Sequence, residues 1–503
     1  MSIQTSPSNS AGLGAGGAKS REAQQTALLY YFALAGLTVV GYWLRLAWID
    51  HPMRYDEAYS ATMYVLPGKW FAYNAPNNHI LNTLLMHLCV MVSGFSAAAL
   101  RFPAFISGIL IIPATAWCAH VLSGRKLAGL LAAGFIATSS IFIEYSTNAR
   151  GYSLVCLSSL VMVTLSLLIA QNPSARWQWI AWGVAAVVGL YAVPTMLSAV
   201  VLASLLMVIV GGRSKMRQLL PRLAVTLFAA GVTTLAIYVP VLRANGLNAL
   251  IGNRWVTPEP IHLLPRNLWG LAVDLLEMIG TDCSLLSRGL LCLGLTGVVI
   301  AGVQRRSKLW VLPALSLAVM CLFPLLQRRV PPARVDLFLL PFFLAAAAGG
   351  LLYWCDFFRD TVRRKAAFIA MACACLAGWA GNAWAGQHRD FLIIKEPWEC
   401  VDAVAVVDFL FKNGLFYSPN RVYPSHSTSA TCIYYYTLDS RAERKPMLSL
   451  TDEACEHVYL LIWKEDPIDE FYRKVPELQT RFDSPQLVRT FPSTAVYVCH
   501  RRK

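Results

Sequence analysis

Uninterrupted apolar runs long enough to cross a bilayer recur along this chain, and no other feature restricts its fold as strongly. They start near Ala27, Phe102, Leu127, Tyr152, Trp179, Thr195, Leu223, Gly289, Leu309, Leu337 and Ala366. About 20 apolar residues in a helix cross a hydrocarbon core about 30 Å thick. Lipid offers no partner to a free backbone N–H or C=O, so these runs are expected to be helices. Charged residues make up only 14% of the 503 residues, against about 25% in soluble domains. The pattern predicts a polytopic α-helical membrane protein with about eleven transmembrane helices. The net charge of +15 does not point to nucleic acid, because Lys and Arg sit in short groups between the apolar runs.

Those groups orient the chain. "GRK" (124–126), "GGRSKMR" (211–217), "QRRSK" (304–308) and "RDTVRRK" (359–365) should face the cytoplasm, as should the N-terminus with Lys19 and Arg21. All of them can do so only if the run from Ile80 to Phe95, interrupted by Asn82, His87 and Ser93, lies along the outer surface as an interfacial helix. Pro194 then marks a tight outer turn between the Trp179 and Thr195 runs. "NLWGLAVDLLEMIG" (267–280) reads as a second surface helix with Asp274 and Glu277 on one side. This topology brings the acidic loop "MRYDEAYSA" (53–61), the "ALRFP" stretch with Arg101 and the loop "IEYSTNARGY" (143–152) to one face. The opposite choice would separate Asp56 from Arg150 by a bilayer. The outer loop "QRRVPPARVD" (327–336) breaks the charge rule with three arginines, so its charge has another purpose.

Three segments follow: a polar, unstructured cytoplasmic tail (1–26), a membrane domain (27–386) and a small extracytoplasmic α/β domain (387–503). In the last, "HVYLLIW" and "STAVYVC" have strand length, while "CVDAVAVVDFLFKNG" and "DPIDEFYRKVPEL" look helical. Its Cys400, Cys432, Cys455 and Cys499 suit disulfides in an oxidising compartment, with the pairing open. No CxxC or HExxH motif appears. His51, His79 and His87 stand near the acids, and a divalent metal stays open.

An acid pair, separate arginine sites and surface-lying helices on one membrane face suit transfer from a lipid phosphate. A carboxylate takes the proton of an attacking hydroxyl. Arginines grip a phosphate and offset the charge that develops on it. The bland readings are a solvated acidic loop, an arginine snorkelling to lipid phosphate, an Arg150–Glu144 pair kept for stability, and an arginine loop that only holds headgroups.

"RYDEAYSA", "NNHILNTLLMHL", "LRFPAFISGILIIP" and "SSIFIEYSTNARGYSL", in that order, together with "PPARVDLFLLP", resemble the bacterial family-39-type membrane glycosyltransferases. These are related to protein O-mannosyltransferases and to the aminoarabinose transferase of lipid A, and have the GT-C fold. The resemblance covers about residues 27 to 385. It implies that Asp56 is the catalytic base with Glu57 as its partner. It implies that Arg101, Arg150 and Arg334 bind the donor phosphate, and that Tyr55, His79, Glu144, Asn148 and Tyr152 serve the substrates. The donor would be a polyprenyl-phosphate sugar and the acceptor a hydroxyl on a lipid, glycan or protein. The protein would sit in the inner (plasma) membrane with its active site on the periplasmic or extracellular side.

Two departures touch the acceptor side. Asn148 stands where many relatives carry Glu, so that either Glu144 takes over that role or the role is lost, and "NNHIL" replaces a His-Pro-Pro-Leu stretch. A transporter or flippase of lipid-linked saccharides is the competing class, but it calls for ionisable residues near the bilayer midplane, where this sequence has almost none. A non-catalytic assembly protein is the third reading.

Overall fold

The computed structural model describes residues 12–73, 78–248, 258–280, 284–304, 308–358, 360–388, 402–415, 419–424, 455–463 and 466–502. Helix α1 (Gly12–Leu46) begins well inside the stretch expected to be an unstructured tail. Extending a helix already formed avoids the cost of nucleation, and Ala, Gln, Glu, Lys and Arg propagate it well. The short helix α2 (Tyr55–Ser60) continues into a π-helical turn (Ala61–Val65). Helix α3 (Ile80–Ser93) has 14 residues, about 21 Å at 1.5 Å per residue, too short to cross a bilayer.

There follow α4 (Ala97–Ser123), α5 (Lys126–Thr138), α6 (Ser140–Ser146), α7 (Tyr152–Gln171), α8 (Arg176–Ala192) and α9 (Leu197–Asn245). Gly212 turns α9 at a φ of 66°, a conformation that glycine adopts without strain. The expected break at Pro194 is a 3₁₀ turn, Pro194–Met196. Next come α10 (Leu264–Gly280), α11 (Leu285–Val303), α12 (Val311–Gln327), a 3₁₀ stretch (Ala333–Leu339), α13 (Leu340–Phe357) and α14 (Thr361–Gln387). Among the described residues, seven helices are long and apolar enough to cross a membrane, eight if the pair α5–α6, bent by 65°, is one span. That is fewer than the eleven expected, for two reasons. The runs from Thr195 and Leu223 share the helical stretch Pro194–Asn245, and α8 and α12 have only 17 residues each.

The basic loops gather at one end. Arg125 and Arg364 both pair with Asp356, and Lys308 Nζ donates to the Val210 carbonyl at 3.2 Å. Lys126 lies 5.6 Å from the Tyr30 ring, low on α1. Fifteen residues on, about 22 Å along the axis, Arg45 is fully buried near the other end of α1. It donates to the carbonyls of Gly41, Ile136 and Ala137 and to Ser146 Oγ. The break between α5 and α6 leaves those α5 carbonyls without helical partners, and a guanidinium at a helix C-terminus satisfies both hydrogen bond and dipole.

The C-terminal segment forms a four-stranded sheet of order β1–β2–β4–β3: β1 (Asn420–Pro424), β2 (His457–Trp463), β3 (Gln486–Thr490) and β4 (Thr494–His500). β1 and β2 run parallel; the other pairs are antiparallel, with His457 opposite His500. Along β2, Leu461 faces α15 (Ala403–Lys412), while Val458, Leu460 and Ile462 face the side where α16 (Ile468–Lys474) and α17 (Pro476–Arg481) pack. Cys499 is a free buried thiol, at odds with a bridge there, and Cys400 and Cys432 lie outside the described residues.

Candidate active site

The stretch "RYDEAYS" becomes a short helix because Glu57, three residues after Arg54, reaches back to the Arg54 N–H at 3.0 Å and closes its first turn. The side chains of Asp56 and Glu57 then part company. Glu57 is buried, at 1% exposure. Its carboxylate takes Arg101 Nε and Nη2, each at 2.9 Å, and the Ala149 N–H at 2.6 Å. Arg101, equally buried, gives its remaining donors to the carbonyls of Ile49, His51 and Pro52 at 2.7, 2.6 and 3.1 Å. All five guanidinium N–H groups are thus engaged within the protein. This knot ties α4, the segment before α2 and the loop before α7 together.

Asp56 is a quarter exposed. Its Oδ2 lies 3.7 Å from Arg150 Nη2 and 4.0 Å from Arg334 Nη2. These are ion pairs too long to be direct hydrogen bonds. Arg150 is buried; its Nη1 approaches Ser60 Oγ at 3.4 Å, its Nη2 stands 3.2 Å from His79 Nε2, and it lies 5.9 Å from the Tyr152 ring. Arg334 hydrogen-bonds Tyr152, and its charge is felt at Tyr145. Tyr152 sits at 4.8 Å from His79 and 5.3 Å from Tyr145, ring to ring. Tyr55 packs beside Tyr59.

His79 is held by the Gly151 N–H, which donates to Nδ1 at 2.7 Å. A side chain at 151 would press on that ring, so glycine permits the approach. Burial first, then the charges of Arg150 and Arg334, hold the imidazole well below its ordinary pKa of 6.5. A neutral ring accepting at Nδ1 carries its proton on Nε2. A donor therefore faces the Arg150 donors, an arrangement that an anion would satisfy. Burial raises the phenols of Tyr64 and of Tyr73, the latter to about 12, so both stay protonated near Arg150.

The structure brings Asp56, Arg150, Arg334, His79 and Tyr152 into one group, with the Glu57–Arg101 knot behind it. Glu144 pairs with Arg54, a residue inside the quoted acidic motif that the sequence reading left without a role. Asn148 is buried, and its Oδ1 has no hydrogen-bond partner among the described residues. Among those residues, no three His, Cys, Asp or Glu side chains gather as a metal centre would need. Arg45 also escaped the sequence reading, although it is the sole charged residue in the first apolar run, and such a residue calls for a partner.

ArnT from Cupriavidus metallidurans in the apo state is similar in fold, with a TM-score of 0.61 and 12% identity over 95% of this chain and 98% of that one. The same enzyme bound to undecaprenyl phosphate gives 0.58 and 13% identity, with the same coverage. The apo oligosaccharyltransferase of Archaeoglobus fulgidus gives 0.52 and 12% identity over 93% of this chain and 74% of that one. No family model and no curated protein sequence matches the chain. The fold is that of the GT-C membrane glycosyltransferases.

Proposed function

We propose that the chain transfers a sugar from a polyprenyl-phosphate donor to an acceptor hydroxyl, with Asp56 as general base. The observation that carries this reading is the quarter-exposed carboxylate of Asp56 standing 3.7 and 4.0 Å from two guanidiniums. The fold shared with an ArnT that binds undecaprenyl phosphate supports it. Without donor, Arg150 and Arg334 neutralise Asp56. The donor phosphate would take over both arginines, with the Nε2–H of His79 as a third donor, and leave Asp56 free to accept a proton. The acceptor oxygen attacks the anomeric carbon, its proton passes to Asp56, and the bond from that carbon to the phosphate oxygen breaks. The polyprenyl phosphate departs with an added negative charge that the arginines offset. Glu57 and Arg101 are positioning residues in this scheme, because every donor of Arg101 is already bound.

The finer architecture belongs to the same reading. α8, α12 and the two halves of α9 count as separate spans, for a total of eleven. The basic loops are cytoplasmic, and the site and the C-terminal domain face the periplasm or the exterior of an inner (plasma) membrane protein. The test is single-turnover transfer from a polyprenyl-phosphate sugar by purified wild type and Asp56→Asn, with donor binding measured in parallel. Near-normal transfer by the variant would reject the assignment.

A further inference from the structure

Directly behind the site lies one apolar cluster, built from residues beside the charged groups in sequence. Ala58 follows Glu57, Leu100 precedes Arg101 and Ala149 precedes Arg150; all three are buried, together with Met53, Ala61, Val65 and Met86. The positions of Asp56, Arg101 and Arg150 relative to one another are therefore fixed by how this cluster packs.

The cluster is closed from the far end of the chain. Ala403, the first residue of α15, is buried in it at 2% exposure, and Trp463, the last residue of β2, packs against it. Neither contact is loose on its own side. Asp402 accepts from the backbone N–H groups of Ser493 and Thr494 at 2.8 and 3.0 Å and from their hydroxyls at 2.6 and 3.0 Å. The start of α15 is thereby pinned to the start of β4, and α15 packs on the sheet through Val406, Val407 and Leu410. Close packing transmits displacement rather than absorbing it.

We propose that the C-terminal α/β unit is a positioning element for transfer, acting through Trp463 and Ala403 on the helix that carries Asp56. This rests on the functional reading above. Trp463 touches no reacting atom in this scheme; it holds α2 at the depth where Asp56 and Arg150 meet the donor. Reactions of this kind lose about a hundredfold for a misplacement of about 1 Å.

The experiment is steady-state and single-turnover transfer by the full-length chain, wild type, Trp463→Ala, Trp463→Phe, Ala403→Leu and Asp56→Asn, with donor Kd measured for each. Trp463→Ala should lower kcat about tenfold or more with donor Kd within about twofold. Trp463→Phe should restore most of kcat, and Ala403→Leu should lower it by overpacking the same cluster. Wild-type kcat in both Trp463→Ala and Ala403→Leu, while Asp56→Asn is inactive, overturns the inference and leaves the functional reading intact. An active Asp56→Asn overturns that reading instead. Should Trp463→Ala fail to fold, Trp463→Phe and Ala403→Val supply the graded form of the test, and unchanged kcat in both is again the overturning result.

Discussion

Asp56 and Glu57 are neighbours in sequence and opposites in the fold. Glu57 sits in a closed centre, where Arg101 and two backbone N–H groups occupy its carboxylate. Asp56 sits in an open one, a quarter exposed, where two guanidiniums face its charge from 3.7 and 4.0 Å. In the proposed transfer scheme the closed centre supplies geometry and the open one supplies chemistry. A carboxylate with every lone pair engaged cannot take a proton without breaking what holds it, whereas one that is partly exposed is within reach of an incoming hydroxyl.

The largest expected effect tests the open centre. Asp56→Asn should cut transfer by about 10²–10⁴-fold while the melting temperature stays close to wild type, measured by turnover and thermal unfolding on one preparation. A large loss of stability would place Asp56 with Glu57 and erase the contrast.

The second prediction concerns the closed centre. Breaking one partner of a buried ion pair typically costs about 3–5 kcal/mol. Glu57→Gln should therefore show as a drop in stability, with donor affinity of the folded fraction retained. The double variant Glu57→Gln with Arg101→Met should recover part of the loss, because it removes the orphaned charge. Loss of donor affinity at unchanged stability would instead assign Arg101 to the phosphate, as the family resemblance implies.

Arg334 lies at the open centre and is a quarter exposed. Arg334→Ala should weaken donor binding by about tenfold to a hundredfold, the worth of a charge-assisted hydrogen bond. Arg334→Lys should restore only part of it, because a point charge lacks the planar fork. Titration with polyprenyl phosphate reads both variants, and full rescue by lysine would remove the bidentate grip.

The smallest effect comes from His79. Its folded pKa lies below the ordinary 6.5, so between the two values the unfolded chain binds more protons. Stability from this group is complete above about pH 6.5 and falls as pH drops towards the folded value, by up to about 1.4 kcal/mol per pH unit. His79→Gln should flatten that slope in denaturant titrations between about pH 4.5 and 7, and an unchanged slope would show that His79 titrates alike in the folded and unfolded chain.

Much of the architecture was legible in advance. "HVYLLIW" is β2 residue for residue, "NLWGLAVDLLEMIG" falls within α10, and the helix over "DPIDEFYRKVPEL" is divided at Pro476 into α16 and α17. The strands β1 and β3 were not anticipated; β3 is exposed throughout and lacks the alternation that marks a strand with one buried face. The start of α1 was misplaced because composition describes a tail in isolation, whereas here it extends a helix that apolar residues had already formed.

By itself the sequence determined a membrane-spanning helical chain, because apolar runs of that length have no other stable state in lipid. It also determined which charged residues were available near the ends of those runs. Only the tertiary structure allotted them partners. Glu57 meets Arg101 across 44 residues and Ala149 across 92, Arg150 meets Ser60 across 90, and Arg45 meets the freed α5 carbonyls across 91 and 92. The burial that locks one carboxylate into a knot and leaves its neighbour a quarter exposed arises from contacts between distant segments, and local sequence carries no record of them.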